Sequence, residues 1–482
     1  MDHPSAAPLP PSTPAPRCED LSPFADPAAL DPGLQAFLDQ ASNLLCQWLA
    51  TASCRAPLPA LSALPGIEPQ HQGLSSQQLL ADLHLIMEGA YNPGHPGAMA
   101  HLDPPALTGS IAADLIVAGL NNNPLAEELS PSLSRLERSL LGWLAHRLGL
   151  GDQANGVPAS GGTLSNLMAL ICAREASGLQ QRGDGVVLCS EDAHVSLDKA
   201  MRVMGLAADA LQRLATDALG QLDIQALADA LERFQRQGRP VIAVVATAGT
   251  TVRGAVDPLP TIAELCRRHD VWLHVDGAIG AVFGLVDSHQ TRVNGLGLAD
   301  SLTVNPQKLL GITKTSSVLL LKQPQWLART FATGLPYMDP SWGGHHGGEC
   351  GLQGSRPAEI LKLWLGLRQL GLDGIEAVLD GAVRRRRRLL GLLSDLRSPS
   401  GRRLQCRSGP LHLLAFCPEG LNSDAAARWS DATRRQLLEA QLLLSRPLVH
   451  GRHHLKAVLG NPHTGDGELR RLASIVAAGL PL

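Results

Sequence analysis

Between Ser160 and Lys322 short apolar runs alternate with amphipathic stretches, and this alternation constrains the fold more than any other feature of the chain. VVLCS, VIAVVATAG, VWLHVDG, SLTVNP and SVLLLK read as strands; LSNLMALICAREA, SLDKAMRVMGL, IQALADALERFQRQ and LPTIAELCRRHD repeat apolar residues at helical spacing. Strands that are continuously Val, Ile and Leu must be covered on both faces, and helical crossovers between them make the sheet mainly parallel. The pattern predicts a large α/β domain over 151–350, with a helical segment over 31–150 before it. Over 351–482, helices and a small α+β domain follow it. The first 30 residues, rich in Pro, Ala and Ser, are predicted to form a mobile tail that could fold over a neighbouring subunit.

Composition removes several function classes. A formal net charge of −3 offers no global field for nucleic acid or an anionic membrane. Nine cysteines are scattered and never form a C-x-x-C pair, which argues against a disulfide framework or a zinc site and fits a cytoplasmic protein. No apolar run reaches the roughly 20 residues of a membrane span.

In open α/β sheets ligands sit beyond the carboxyl ends of the strands. Here those ends carry His194, Thr247, Asp276, Asn305 and Lys308: an imidazole, an alcohol, a carboxylate, an amide and an amine. A small-residue turn, PASGGTLSNL, opens directly into a helix, so Gly161, Gly162 and Thr163 offer N–H groups at a positive helix terminus that suits a phosphate. The turn matches neither a Walker loop nor a dinucleotide fingerprint. Phosphate, lysine and a lone carboxylate together suit pyridoxal 5'-phosphate: the lysine holds its aldehyde, and the carboxylate keeps its ring nitrogen protonated.

Eight ordered segments then carry a resemblance: NPGHPGAMAHLDPP, SPSLSRLERSLLGWL, SGGTLSNL, EDAHVSLDKAMRVMGL, TAGTTVRGAVDPL, HVDGAIG, NPQK and QGSRPAEILKLWLGLRQLG. The chain resembles the group II pyridoxal-phosphate-dependent amino-acid decarboxylases. The resemblance implies the aspartate-aminotransferase type of fold (fold type I), pyridoxal phosphate as cofactor, and a homodimer with its active site at the subunit interface. It implies Lys308 as the cofactor lysine, Asp276 as partner of the ring nitrogen, and His194 and Ala278 on the two ring faces. Gly161, Gly162, Thr163, Asn305 and Gln307 would surround the phosphate, with Thr247 near the ring. Arg356 and His95 would contact the substrate.

Two departures bear on chemistry. The family usually has His before the lysine, where this chain has Gln307, able to donate but not to carry charge. The family's loop tyrosine, which helps protonate the carbon left after decarboxylation, has no counterpart at the matching place; His345, His346 and Tyr337 are the candidates. The segment HPGAMAHLDPP is nearer the branches acting on diaminobutyrate and acidic substrates than the aromatic branch. The expectation is decarboxylation of a short polar amino acid, 2,4-diaminobutyrate or glutamate ahead of aspartate, to a primary amine. An aldehyde-forming or transaminating enzyme, or a silent homologue, is the alternative.

Overall fold

The computed structural model describes residues 20–60, 63–334 and 346–481. The chain parts into two compact units, one ending at His95 and one spanning Pro96–Leu482.

In the first unit, α1 (Pro32–Ala50) starts where Asp31 Oδ1 accepts from Leu34 N at 2.8 Å and a proline occupies the first turn. A capping box formed by Ser75 and Gln78 opens α2 (Ser76–Glu88), and Trp48 Nε1 donates to Met87 O at 2.9 Å between the two helices. The end of the expected tail is held in place: Asp20 Oδ1 accepts from Ser76 N at 2.9 Å, and Leu21 N donates to Ser76 Oγ at 3.1 Å. Composition hid this contact because a single carboxylate makes it.

The second unit opens with α3 (Thr108–Leu120) and α4 (Pro131–Arg147). Leu140, Leu141 and Leu144 of α4 share one core with the sheet, so the helical stretch before residue 150 does not behave as one segment. The seven strands are β1 (Asn155–Ala159), β2 (Val186–Ser190), β3 (Leu211–Leu214), β4 (Val241–Thr247), β5 (Trp272–Gly277), β6 (Ser301–Val304) and β7 (Ser317–Leu321), in the order β1-β7-β6-β5-β4-β2-β3. Pairing is parallel from β3 through β6; β7 is antiparallel to both β6 and β1. α5 (Gly162–Ala176), α6 (Ser196–Val203), α7 (Ile224–Arg236) and α8 (Leu259–His269) are among the elements between strands. The two edge strands, NGVPA and LQRL, carry Pro, Gly or polar residues, and for that reason periodicity passes over them.

Beyond the sheet, the helix Ile360–Ser394 is broken at Gly371, whose φ of 61° and ψ of 179° are non-helical. A three-stranded sheet follows from β8 (Leu404–Arg407), β9 (Leu413–Pro418) and β12 (Leu455–Val458), with the short pair β10 (Leu448–Val449) and β11 (Arg452–His453) beside it. The run Arg384–Arg388 is not simply a solvated face. Arg385 Nε donates to Leu459 O and Arg386 Nε to Leu411 O, each at 3.0 Å, which ties the helix to the small sheet's loops.

Candidate active site

β2, β4, β5 and β6 end at a cavity of about 260 Å³, lined among others by Gly161, Gly162, Thr163, Asn166, His194, Thr247, Asp276, Ala278, Asn305, Gln307 and Lys308. All ten residues predicted from the sequence to bind the cofactor line it. Thr247 and Asp276 are register partners on neighbouring strands, and Ala248 N donates to Asp276 O at 2.9 Å. The side chains from separate crossovers are thus brought to one level by the ladder itself.

α5 begins at the cavity wall with Gly161 as its N-cap, at φ +139°, a backbone conformation that a side chain would strain. No side-chain hydrogen bond is made by the N-cap residue, and the positive end of the helix faces the cavity, which suits an anion. Gln307 Oε1 accepts from Ser316 N at 2.6 Å, which turns its amide into a donor on the other side.

Asp276 is buried and has defined donors. Asn166 Nδ2 donates to its Oδ2 at 2.8 Å and Ala278 N to its Oδ1 at 3.2 Å. The Asn166 oxygen accepts from Thr303 Oγ1 at 2.8 Å and from His274 Nε2 at 3.1 Å, while His274 Nδ1 lies 2.9 Å from Ser301 Oγ. Complete burial holds the His274 imidazole down to about 4, so it is neutral and its Nε2 carries the proton. Asn166, central to this network, went unnoticed in the sequence because it sits inside a helix; its one turn of separation from Gly162 was the available signal.

Burial, opposed by the Asp276 carboxylate, lowers the Lys308 amine from its ordinary range, which favours the nucleophilic free base. His194 is likewise lowered, chiefly by burial. Its Nδ1 accepts from Ser196 N at 3.2 Å, leaving Nε2–H to face other groups. Thr247 Oγ1 is buried without a hydrogen-bond partner among the described residues. An uncapped helix terminus, a donor-held carboxylate, a buried lysine whose amine is lowered by burial and an orphaned hydroxyl fit the phosphate, ring nitrogen, aldehyde and ring oxygen of pyridoxal phosphate in turn.

Lys456, on β12, was not singled out in the sequence. It is buried, its Nζ donates to the carbonyl of the cavity residue Thr251 at 3.4 Å, and burial together with the like charge of Lys308 lowers it to about 8.

Arg356 does not line the cavity: its Nη1 and Nη2 donate to Glu137 at 2.8 and 2.5 Å, with both partners buried. Glu359, three residues further on, accepts from Thr315 Oγ1 at 2.6 Å. His95 closes the first unit, its N donating to Asn92 O at 3.4 Å. His346 Nδ1 accepts from Glu127 N at 3.4 Å. Tyr337 and His345 lie outside the described residues.

Sheet order and cavity together place the protein among the fold-type I pyridoxal-phosphate enzymes. Residues 61–397 match the pyridoxal-dependent decarboxylase conserved domain, and the chain belongs to that family of amino-acid carboxy-lyases, with pyridoxal phosphate as cofactor. It is 32% identical to an L-2,4-diaminobutyrate decarboxylase of Rhizobium meliloti (strain 1021), over 81% of this chain and 79% of that one. It is 30% identical to the cysteine sulfinic acid decarboxylase of Rattus norvegicus, over 71% and 70%. Among solved structures, mouse CSAD in apo form superposes with a TM-score of 0.83 at 24% identity, covering 93% of this chain and 99% of that one. Oryza sativa TDC with PLP and tryptamine gives 0.85 at 20% identity, covering 95% and 99%. These two likenesses speak for the fold.

Proposed function

We propose that this chain decarboxylates a short polar L-amino acid to its primary amine, with 2,4-diaminobutyrate ahead of glutamate and aspartate. The convergence of Lys308, Asp276 and His194 on one cavity carries the reading. The substrate preference is supported by the likeness to the Rhizobium meliloti protein, which extends over 81% of the chain against 62% for an aromatic-L-amino-acid decarboxylase of Bacillus atrophaeus.

Pyridoxal phosphate held in this cavity would supply the electron sink that loss of carbon dioxide from the substrate requires. The Lys308 amine would hold the cofactor's aldehyde. Asp276, oriented by Asn166, would keep the ring nitrogen protonated, while His194 and Ala278 would confine the ring and the α5 terminus with Gln307 would hold the phosphate. Lys456 replaces Arg356 as the group receiving the substrate α-carboxylate, because the Arg356 fork is already taken by Glu137.

A cytoplasmic homodimer is part of the proposal. Leu115, Ile116 and Leu120 of α3 are each more than half exposed, a stripe that a second copy would cover.

The test is a visible absorption spectrum of purified protein supplied with pyridoxal phosphate, beside Lys308→Ala, followed by borohydride reduction and peptide mapping. A band lost in the variant, with a pyridoxyl group fixed on Lys308, is the expected result. Carbon dioxide release is then screened over 2,4-diaminobutyrate, glutamate, aspartate, cysteine sulfinate and tryptophan. Fixation on another lysine overturns the site; fastest turnover of tryptophan overturns the substrate class.

A further inference from the structure

Behind the cavity wall lies a carboxylate that the reaction does not use. Asp257, 2% exposed, stands at the far end of the loop that leaves β4 and supplies Thr247, Gly249, Thr250 and Thr251 to the lining. Its Oδ2 accepts from Thr247 N and its Oδ1 from Leu222 N, both at 2.7 Å, and its own N donates to Thr247 O at 2.9 Å. Both backbone polar groups of Thr247 are therefore held by one residue that does not line the cavity. Within the loop, Gly249 N and Thr250 N donate to Ala255 O, each at 2.9 Å, so displacement of its base would carry the lining residues with it. Thr247 is in turn the register partner of Asp276.

We propose that Asp257 is a positioning residue for cofactor capture: its carboxylate clamps the end of β4, keeping Thr247 and the loop behind it level with Asp276. The proposal rests on the reading of this cavity as the pyridoxal-phosphate site. Two N–H donors converging on two carboxylate oxygens cannot both be served by an amide, whose NH₂ would face one of them. A buried donor left unpaired costs enough to move an equilibrium by about tenfold or more.

The clamp is also sensitive to protonation. Burial raises Asp257 to about 6, against the two backbone donors that favour the anion. The charged groups acting on it are Asp192 and Asp217, which raise it further; Asp192 itself accepts from Arg253 Nη2 at 2.7 Å. The proton weakens the acceptor pair below about pH 6 and leaves it intact above.

The experiment compares pyridoxal-phosphate affinity of wild type and Asp257→Asn across pH, by titrating cofactor into apoenzyme and reading the visible band. The cofactor's own ionisations cancel in the ratio of the two dissociation constants. That ratio is expected to be about ten or more above neutrality and to shrink toward one at pH 5. A ratio near one throughout, with only a lower melting temperature, means a purely structural role and overturns the proposal. Should the variant not fold, hydrogen exchange in wild type decides. The peptide ending at Thr247 should lose protection between pH 7.5 and 5 beyond the intrinsic rate change, and unaltered protection overturns the clamp. Failure of the cavity reading is distinguishable, because wild type itself would then form no band.

Discussion

Asn166 Nδ2 donates to Asp276 Oδ2 across 2.8 Å, inside a chain of bonds that runs from Trp272 Nε1 through Ser301, His274 and Asn166 to the carboxylate. Each link fixes the next one's donor and acceptor sense, because Trp272 can only donate. The carboxylate therefore meets an N–H, and its other oxygen meets Ala278 N. The orientation of that carboxylate is set by donors arranged over two strands and a helix.

Replacing Asn166 by Ala removes the donor and also orphans Thr303 Oγ1 and His274 Nε2. We expect cofactor affinity to fall by about tenfold or more, on the scale of a lost hydrogen bond to a charged group. Cofactor titration of apoenzyme checks it, and affinity equal to wild type would exclude Asn166 from any role in orienting Asp276.

Lys456 is charged below about pH 8 and neutral above. If it receives the substrate carboxylate, kcat/KM should decline as pH rises through that value, and Lys456→Met should lose about 2 to 4 kcal/mol of transition-state binding while retaining the cofactor band. Lys456→Arg should keep a measurable part of the activity and move the alkaline limb upward. Steady-state kinetics against pH separate these outcomes from a loss of fold.

Buried imidazoles set the acid limb of stability. Burial lowers His412 from 6.5 to about 3 and His454 to about 4, with His274 similar. In each case the unfolded chain takes the proton first, so stability is fullest above pH 6.5 and declines as pH falls toward 3 or 4. Neither ring nitrogen of His412 has a partner among the described residues. His412→Leu should therefore flatten the slope of unfolding free energy by up to about 1.4 kcal/mol per pH unit in that window. Urea unfolding at several pH values measures it; an unchanged slope would place the uptake elsewhere.

Gly371 interrupts the helix Ile360–Ser394 in a backbone region open essentially to glycine. Gly371→Ala should cost about 1 to 3 kcal/mol of stability, measurable by chemical denaturation. No atom stands within 4 Å of an added Cβ, so the loss would be conformational and not steric.

The sequence showed the cavity well and its supports poorly, for a physical reason. Lys308, Asp276 and His194 follow apolar strands, so strand ends and residue type together mark them. Asn166, Lys456 and Asp257 act across folded distance: the first lies in a helix, the second in the small sheet, the third behind a loop, and no local period announces any of them. Arg356 shows the converse. The family resemblance implied a substrate contact for it, while its partner in the structure, Glu137, lies 219 positions away. The interior strands were legible because burial on both faces writes an unbroken apolar run. The edge strands were not, because one side of each is open.

The single reversal of direction at β7 has a consequence for how the molecule is made. Lys308 lies between β6 and β7, two strands that pair with each other and close a short local unit, whereas Asp276, Thr247 and the α5 terminus reach the cavity only through long crossovers. Contacts between sequence neighbours form quickly, and distant ones wait on loop closure. The lysine is thus in place early, but the groups that recognise the rest of the coenzyme assemble only as the parallel ladder completes. On a refolding chain, capture of the coenzyme is therefore expected to follow closure of the parallel ladder.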